Sequence, residues 1–216
     1  MTLIKTGWIE REDIRPTADV PLAGQRIPSA DECEAILAEW WVDVRVVRHS
    51  RKVAEIAVRM AAALLGCGVE VNPELVQAAA LLHDLAKGRP DHAATGALML
   101  RSMGFDRVAD IVAAHTDLGG FCTLDEPAIV FLADKLVRDE ELVTLEQRFK
   151  PALKRFRKDA VALANAFRRL SVATAVAQAV EKRLGMPLSR LLHEPTEIRD
   201  HDCLASALRQ QEAETA

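Results

Sequence analysis

The sequence specifies an all-α protein. Apolar residues recur at helical spacing through most of the chain, helix start and stop signals punctuate it, and no window alternates strictly as a half-buried strand does. Its 216 residues fit one domain, and with half of them apolar the chain can bury a sizeable core under an ordinary charged surface.

Residues 1–28 hold Pro16, Pro21 and Pro28 without sustained periodicity and read as an extended arm whose Trp8 is available to dock on the body. Ser29 and Glu32 form an S-x-x-E capping box that opens a helix running to about Trp41. From Asp43 to Leu65 an amphipathic helix is expected, with Val53, Ile56, Met60 and Leu64 on one face and Gly-Cys-Gly closing it. Asn72-Pro73 supplies an N-cap and a first-turn proline, and the segment from Glu74 to Lys87 is apolar almost all round, which places it at the centre of the fold. Further helices are expected over 92–103, ended by Gly104, over 106–115, over 125–139, and over 144–184 with a break near Lys158; Gly185 and Pro187 stop the last. Residues 29–192 therefore form the helical domain and 193–216 a tail that frays at its end.

Several function classes are disfavoured. Net charge is −4 and the pI about 5.9, so the basic face of a duplex nucleic-acid binder is missing, and with 4% aromatics and no tyrosine there is little for single strands to stack on. No Gly-rich phosphate loop of the GxGxxG or GxxxxGK kind is present. Cys33, Cys67, Cys122 and Cys203 form no CxxC pair and are expected to be reduced and structural. The first residues carry no apolar signal core, and no stretch reaches the roughly 18 unbroken apolar residues of a membrane span, so a cytoplasmic protein with no membrane partner is expected.

Histidines and aspartates sit where apolar residues belong. His49 shares a stripe with Val53, Ile56 and Met60, His115 one with Val108, Ile111 and Val112, and Asp134 one with Val130 and Val137, while His83 and Asp84 end the central apolar run. A buried aspartate is costly unless paired or bound to metal, and two of them among several histidines point to metal. Imidazole and carboxylate donors without thiolate favour iron or manganese and admit zinc. At a helix end, neighbouring His83 and Asp84 are able to flank a pair of ions.

Taken motif by motif, the chain resembles the HD superfamily of metal-dependent phosphohydrolases over about residues 40–140. Arg48-His49-Ser50 fits the first histidine motif, Leu81 through Lys87 the HD signature, and His92, Ala114-His115-Thr116 and Leu132-Ala133-Asp134 the remainder. The resemblance implies an HD-domain helical bundle with additional C-terminal helices and two divalent ions. His49, His83, Asp84 and Asp134 would hold one, Asp84, His92 and His115 the other, with Asp84 bridging. Within the superfamily the sequence is similar to enzymes that split symmetrical diadenosine tetraphosphate, and more so to HD domains associated with molybdenum-cofactor nucleotidyltransferases, through RHSRKVAEIA, AALLHDLAKGRPDHAATGA, IVAAHTDL, ADKLV and LEQRF.

The implied activity is hydrolysis of a phosphate ester or phosphoanhydride of a small molecule, a nucleotide or dinucleotide, at Asp84 and Lys87. Lys87, Arg48, Arg51, Lys52 and Arg138 are candidates to hold its phosphates, and Lys87, one turn after His83, is able to reach either a phosphate oxygen or a carboxylate beside the ligands. Asp91 and Asp117 are placed to orient an imidazole, or in the case of Asp91 to cap the next helix. Lys150, Lys154, Arg155, Arg157 and Lys158 suit a solvated face or the contact of a homo-oligomer. Two rivals keep the same ligands: a di-iron oxygenase, and a non-catalytic nucleotide-binding or regulatory module.

Overall fold

The computed structural model describes residues 26–193, residue 122 excepted, and within them the protein is helical: α1 (Ala30–Glu39), α2 (Val44–Gly66), α3 (Pro73–Leu82), α4 (His92–Ser102), α5 (Asp106–Ala114), α6 (Glu126–Leu136), α7 (Leu145–Arg155), α8 (Ala160–Leu184) and α9 (Leu188–His193). The local caps do what the sequence assigns to them. Ser29 and Glu32 close a reciprocal capping box on α1, and Asn72 Oδ1 accepts from Leu75 N at 3.0 Å at the start of α3. Gly185, in the left-handed region at φ 66°, ends α8, a conformation that an L side chain would strain. Residues 1–25 of the expected arm, Trp8 among them, and the tail after His193 lie outside the described residues.

The core is built around α3 and α6. Leu75, Val76 and Ala78 through Leu82 are buried on α3, and every residue from Ala128 to Leu136 is buried on α6. Helix α3 packs against α1, α2, α5 and α6, and α4 and α5 form a hairpin beside them. Gly96 sits where α4 meets α5; a Cβ there would stand 3.5 Å from Val112 Cγ1, an ordinary contact, so its role is helix packing. A satellite cluster of Phe131, Phe149 and Ala173 ties α6, α7 and α8 together.

Four sequence expectations are corrected. The central helix ends at Leu82, not at Lys87, because i→i+3 bonds from Leu85 N to Leu82 O and from Lys87 N to Asp84 O tighten the chain into successive turns. The helix expected over 125–139 stops at Leu136, where Val137 becomes extended and starts a two-stranded hairpin, β1 (Val137–Arg138) with β2 (Glu141–Leu142), pairing Val137 with Leu142. A short α9 follows Pro187. Cys33 is a free buried thiol, pushed up to about 12 first by burial, whereas Cys67 is disulfide-bonded, since a disulfide joins residues that spacing along the chain does not reveal.

Among the described residues, α8 alone is long and apolar enough to cross a membrane. Its run is broken by Arg168 and Arg169, and Ala166, Ala173, Val176 and Val180 make a buried stripe where it meets α2, α6 and α7.

Candidate metal centre

Helix ends supply most of the site. His83 caps the C-terminus of α3, His115 that of α5, and His92 begins α4; His49 comes from the second turn of α2 and Asp134 from the last turn of α6. In the tight turn after Leu82, neighbouring His83 and Asp84 bring their side chains to one cluster, with Nε2 3.5 Å from Oδ2, whereas successive residues of a continuing α-helix point about 100° apart.

The six side chains converge. His49 Nε2 lies 3.2 Å from Asp134 Oδ1, and His83 Nε2 3.8 Å from the same oxygen. Asp84 presents its two oxygens to different neighbours: Oδ2 faces His83 Nε2 at 3.5 Å, while Oδ1 faces His92 Nε2 at 3.2 Å and His115 Nε2 at 3.6 Å. His92 and His115 bring their Nε2 atoms within 3.2 Å of each other. Two groups have donor atoms close enough to share an ion, His49 with His83 and Asp134, and His83 with Asp84 and His115.

Backbone carbonyls fix the rings. Nδ1 of His49 lies 2.9 Å from Asp139 O, Nδ1 of His83 2.8 Å from Ala80 O, and Nδ1 of His115 2.6 Å from Val112 O. Each Nδ1–H therefore donates outward, leaving a lone pair on Nε2 aimed into the cluster. His83 Nε2 is buried with no hydrogen-bond partner, an arrangement costly in a protein interior and well suited to a metal.

Electrostatics favour ionised carboxylates. Burial raises the Asp84 carboxyl, but the imidazoles of His83, His115 and His92 outweigh it and hold the group far below the usual range. At Asp134 burial is likewise overcome, by the Lys135 ammonium, His49, His83 and Arg148. Burial dominates at His115 and pushes it below the ordinary histidine value, whereas at His83 the carboxylates of Asp84 and Asp134 outweigh burial and raise it.

The profile of the HD domain matches residues 46–139, a span containing all six convergent side chains. Residues 46–139 are an HD domain. HD domains bind divalent metals, and in this one the donor set, the orphaned Nε2 and the ionised carboxylates fit such ions. The chain is 34% identical over 140 residues to a tRNA (cytidine(56)-2'-O)-methyltransferase of Picrophilus torridus, a match covering 56% of this chain and 40% of that protein. It is 35% identical over 106 residues to an uncharacterized protein of Methanocaldococcus jannaschii, covering 48% of this chain and 60% of that one. The chain thus spans about half the length of these curated relatives. No solved structure matches.

The candidate cations are distributed unevenly about the HD domain. Lys87 Nζ reaches Asp84 Oδ2 at 2.8 Å while remaining half exposed. Arg48 is exposed and pairs with Glu140 at 3.7 Å, and Arg138 is exposed on β1. Arg51 is engaged by Glu34 at 2.7 Å and Lys52 by Glu55 at 2.9 Å, so neither is brought to the cluster. Asp117 holds Arg168 of α8 and Gly119 N rather than an imidazole, and Asp91 makes no side-chain cap. Lys150, Lys154, Arg155, Arg157 and Lys158 are all exposed.

Two cations at the centre escaped the sequence reading. Lys135 is buried, with Nζ 2.5 Å from Asp134 Oδ2 and 3.2 Å from His115 O. Arg148 of α7 brings Nη2 within 4.0 Å of Asp134 Oδ1, and its Nε is buried without a partner. The signal for Lys135 was the run Ala128–Leu136, so apolar all round that any residue on it must be buried.

Proposed function

We propose that this HD domain is a two-metal phosphohydrolase acting on a small phosphate ester or phosphoanhydride, a nucleotide or dinucleotide. The observation that carries the reading is Asp84, whose two oxygens face two different sets of imidazoles across one buried cluster.

Bound iron or manganese would supply Lewis acidity and a water acidic enough to attack phosphorus near neutral pH. The residues of the chain would do the rest. His49, His83, Asp84 and Asp134 would hold one ion and Asp84, His92 and His115 the other. Carbonyls of Ala80, Val112 and Asp139 keep three imidazoles in the ligating tautomer. Lys87, on a flexible stem beside Asp84, would hold a substrate oxygen and balance the charge that develops on it. The choice of a nucleotide rests on the sequence resemblance to HD enzymes and HD domains of nucleotide chemistry. The methyl transfer named for the Picrophilus torridus relative belongs to that protein.

Anaerobically purified chain, assayed for metal content and then against a panel of nucleotides and dinucleotides, tests the reading. Hydrolysis without oxygen consumption, read as released phosphate from nucleotides or as nucleotide fragments from dinucleotides and lost in Asp84→Ala and Asp134→Ala, is the expected result. Oxygen-dependent turnover would instead establish an oxygenase. Equal inactivity of wild type and both variants with iron, manganese and zinc would establish a binding module.

A further inference from the structure

Asp134 has more positive charge around it than one carboxylate needs. Lys135 Nζ stands 2.5 Å from Oδ2 and is held there by the His115 carbonyl at 3.2 Å, which compensates the carboxylate on its own. Arg148 adds a second cation at the other oxygen, with Nη2 4.0 Å from Oδ1, too far for a hydrogen bond. His49 and His83 face that same Oδ1 at 3.2 and 3.8 Å, so the Arg148 guanidinium borders the ligand cluster itself.

The Nε–H and Nη2–H of a guanidinium are parallel donors spaced to match two oxygens of one anion. Arg51 uses this edge on Glu34, with Nε at 2.7 Å and Nη2 at 2.8 Å. In Arg148 the same Nε is buried and makes no hydrogen bond, a state that a protein interior ordinarily avoids. The side chain as a whole is 36% exposed, so part of it reaches solvent beside the cluster. Lys87 stands likewise at the other carboxylate, half exposed and with Nζ 2.8 Å from Asp84 Oδ2, and His83 Nε2 lies within 3.8 Å of both carboxylates. Two divalent ions on Asp84 and Asp134 would already outweigh these carboxylates, and Lys87, Lys135 and Arg148 would add to the excess. An anion with two charges offsets that excess better than an anion with one.

We infer that Arg148 is a specificity-determining residue, whose Nε and Nη2 grip two oxygens of a doubly charged phosphoryl group at the centre and so select a terminal phosphate over a singly charged diester. The inference rests on the phosphohydrolase reading and narrows its substrates to phosphomonoesters and the terminal phosphates of nucleotides. A diester, or an internal phosphate of a dinucleotide, brings one charge to the guanidinium and gains less from it.

Non-hydrolysable phosphonates separate this claim from turnover. The full chain, loaded with saturating manganese, is titrated by calorimetry at pH 8 with phenylphosphonate, which carries two charges, and with its monomethyl ester, which carries one. Wild type is expected to bind phenylphosphonate about tenfold or more tightly than the ester. Arg148→Gln should weaken phenylphosphonate about tenfold or more while leaving the ester within about threefold. Arg148→Lys, which keeps the charge without the fork, should recover part of the loss. The clamp is overturned if wild type does not distinguish the two ligands or if Arg148→Gln binds phenylphosphonate normally. It is equally overturned if Arg148→Gln weakens both ligands to the same degree, as a residue that merely props Asp134 would. Selective, Arg148-dependent binding by a wild type that hydrolyses no phosphate compound would sustain the clamp and overturn the hydrolase.

Discussion

His83 Nε2 is completely buried, accepts no hydrogen bond, and lies 3.5 Å from Oδ2 of Asp84, whose Oδ1 faces His92 and His115 on the other side. Asp84 thus faces imidazoles through both of its oxygens, as a carboxylate shared between two ions would. Asp84→Ala is therefore expected to lower bound metal from about two ions per chain to one or none, and His92→Ala to remove one. Mass-spectrometric metal content of protein purified without chelator checks it. Two ions retained in Asp84→Ala would refute the bridging role.

Metal that binds only the folded chain stabilises it by mass action, about 4 kcal/mol at a thousandfold excess over Kd. For a protein of this size that shifts the melting temperature by roughly 10 °C. Chelation should lower the wild-type melting temperature by about that amount and leave Asp84→Ala nearly unmoved. Calorimetric scans with and without chelator decide it.

Lys135 and Asp134 form a buried pair at 2.5 Å, and Lys135 also lies over the Phe131 ring at 4.9 Å. Lys135→Met leaves the carboxylate uncompensated, at a cost of about 3–5 kcal/mol in metal-free protein. A divalent ion on Asp134 replaces the missing charge, so saturating manganese should narrow the gap between variant and wild type. A gap independent of metal would remove Asp134 from the ligand set.

The sequence exposed what local chemistry dictates and hid what depends on distant partners. Ser29, Asn72 and Gly185 mark helix ends because each cap satisfies its own backbone, and His49, His83, Asp84, His115 and Asp134 stood out as polar groups on apolar stripes. Residues 83–87 keep a helical pattern of polarity, so nothing in it signals the tighter turn that buries both His83 and Asp84. The hairpin after α6 was equally hidden, since Val137 continues the apolar run and Asp139-Glu140 is not a turn pair that stands out in sequence. With the hairpin went the Asp139 carbonyl that orients His49.

Glu34 and Arg51 join α1 to α2 through two hydrogen bonds at 2.7 and 2.8 Å, and the Arg51 guanidinium lowers the Glu34 carboxyl against a smaller effect of burial. Because the folded value lies below the unfolded one, the pair stabilises the protein above the ordinary glutamate pKa of about 4.3, and the contribution is lost as pH falls through the lowered folded value. Solvent exposure limits it to about 0.2–1 kcal/mol. A double-mutant cycle with Glu34→Gln and Arg51→Gln, measured by urea unfolding, should show that coupling at pH 7 and a shrinking one as pH is lowered below the ordinary glutamate value. Absence of coupling at pH 7 would rule out the pair as a source of stability.

Phe149 is the buried anchor of α7, packed with Phe131 and Ala173 in a cluster separate from the main core. Phe149→Ala should cost about 3–5 kcal/mol, and because the cluster is a satellite the loss should be local rather than global. Amide exchange is expected to speed up through 145–155 and the facing part of α8, while α3, whose contacts are with α1, α2, α5 and α6, keeps its protection. The neighbouring Arg148 would then lose its place 4.0 Å from Asp134, and metal affinity should weaken without loss of any ligand. Uniformly faster exchange across α3 and α7 would show instead that the two clusters unfold as one unit, and that α7 holds the HD domain together rather than trimming its charge.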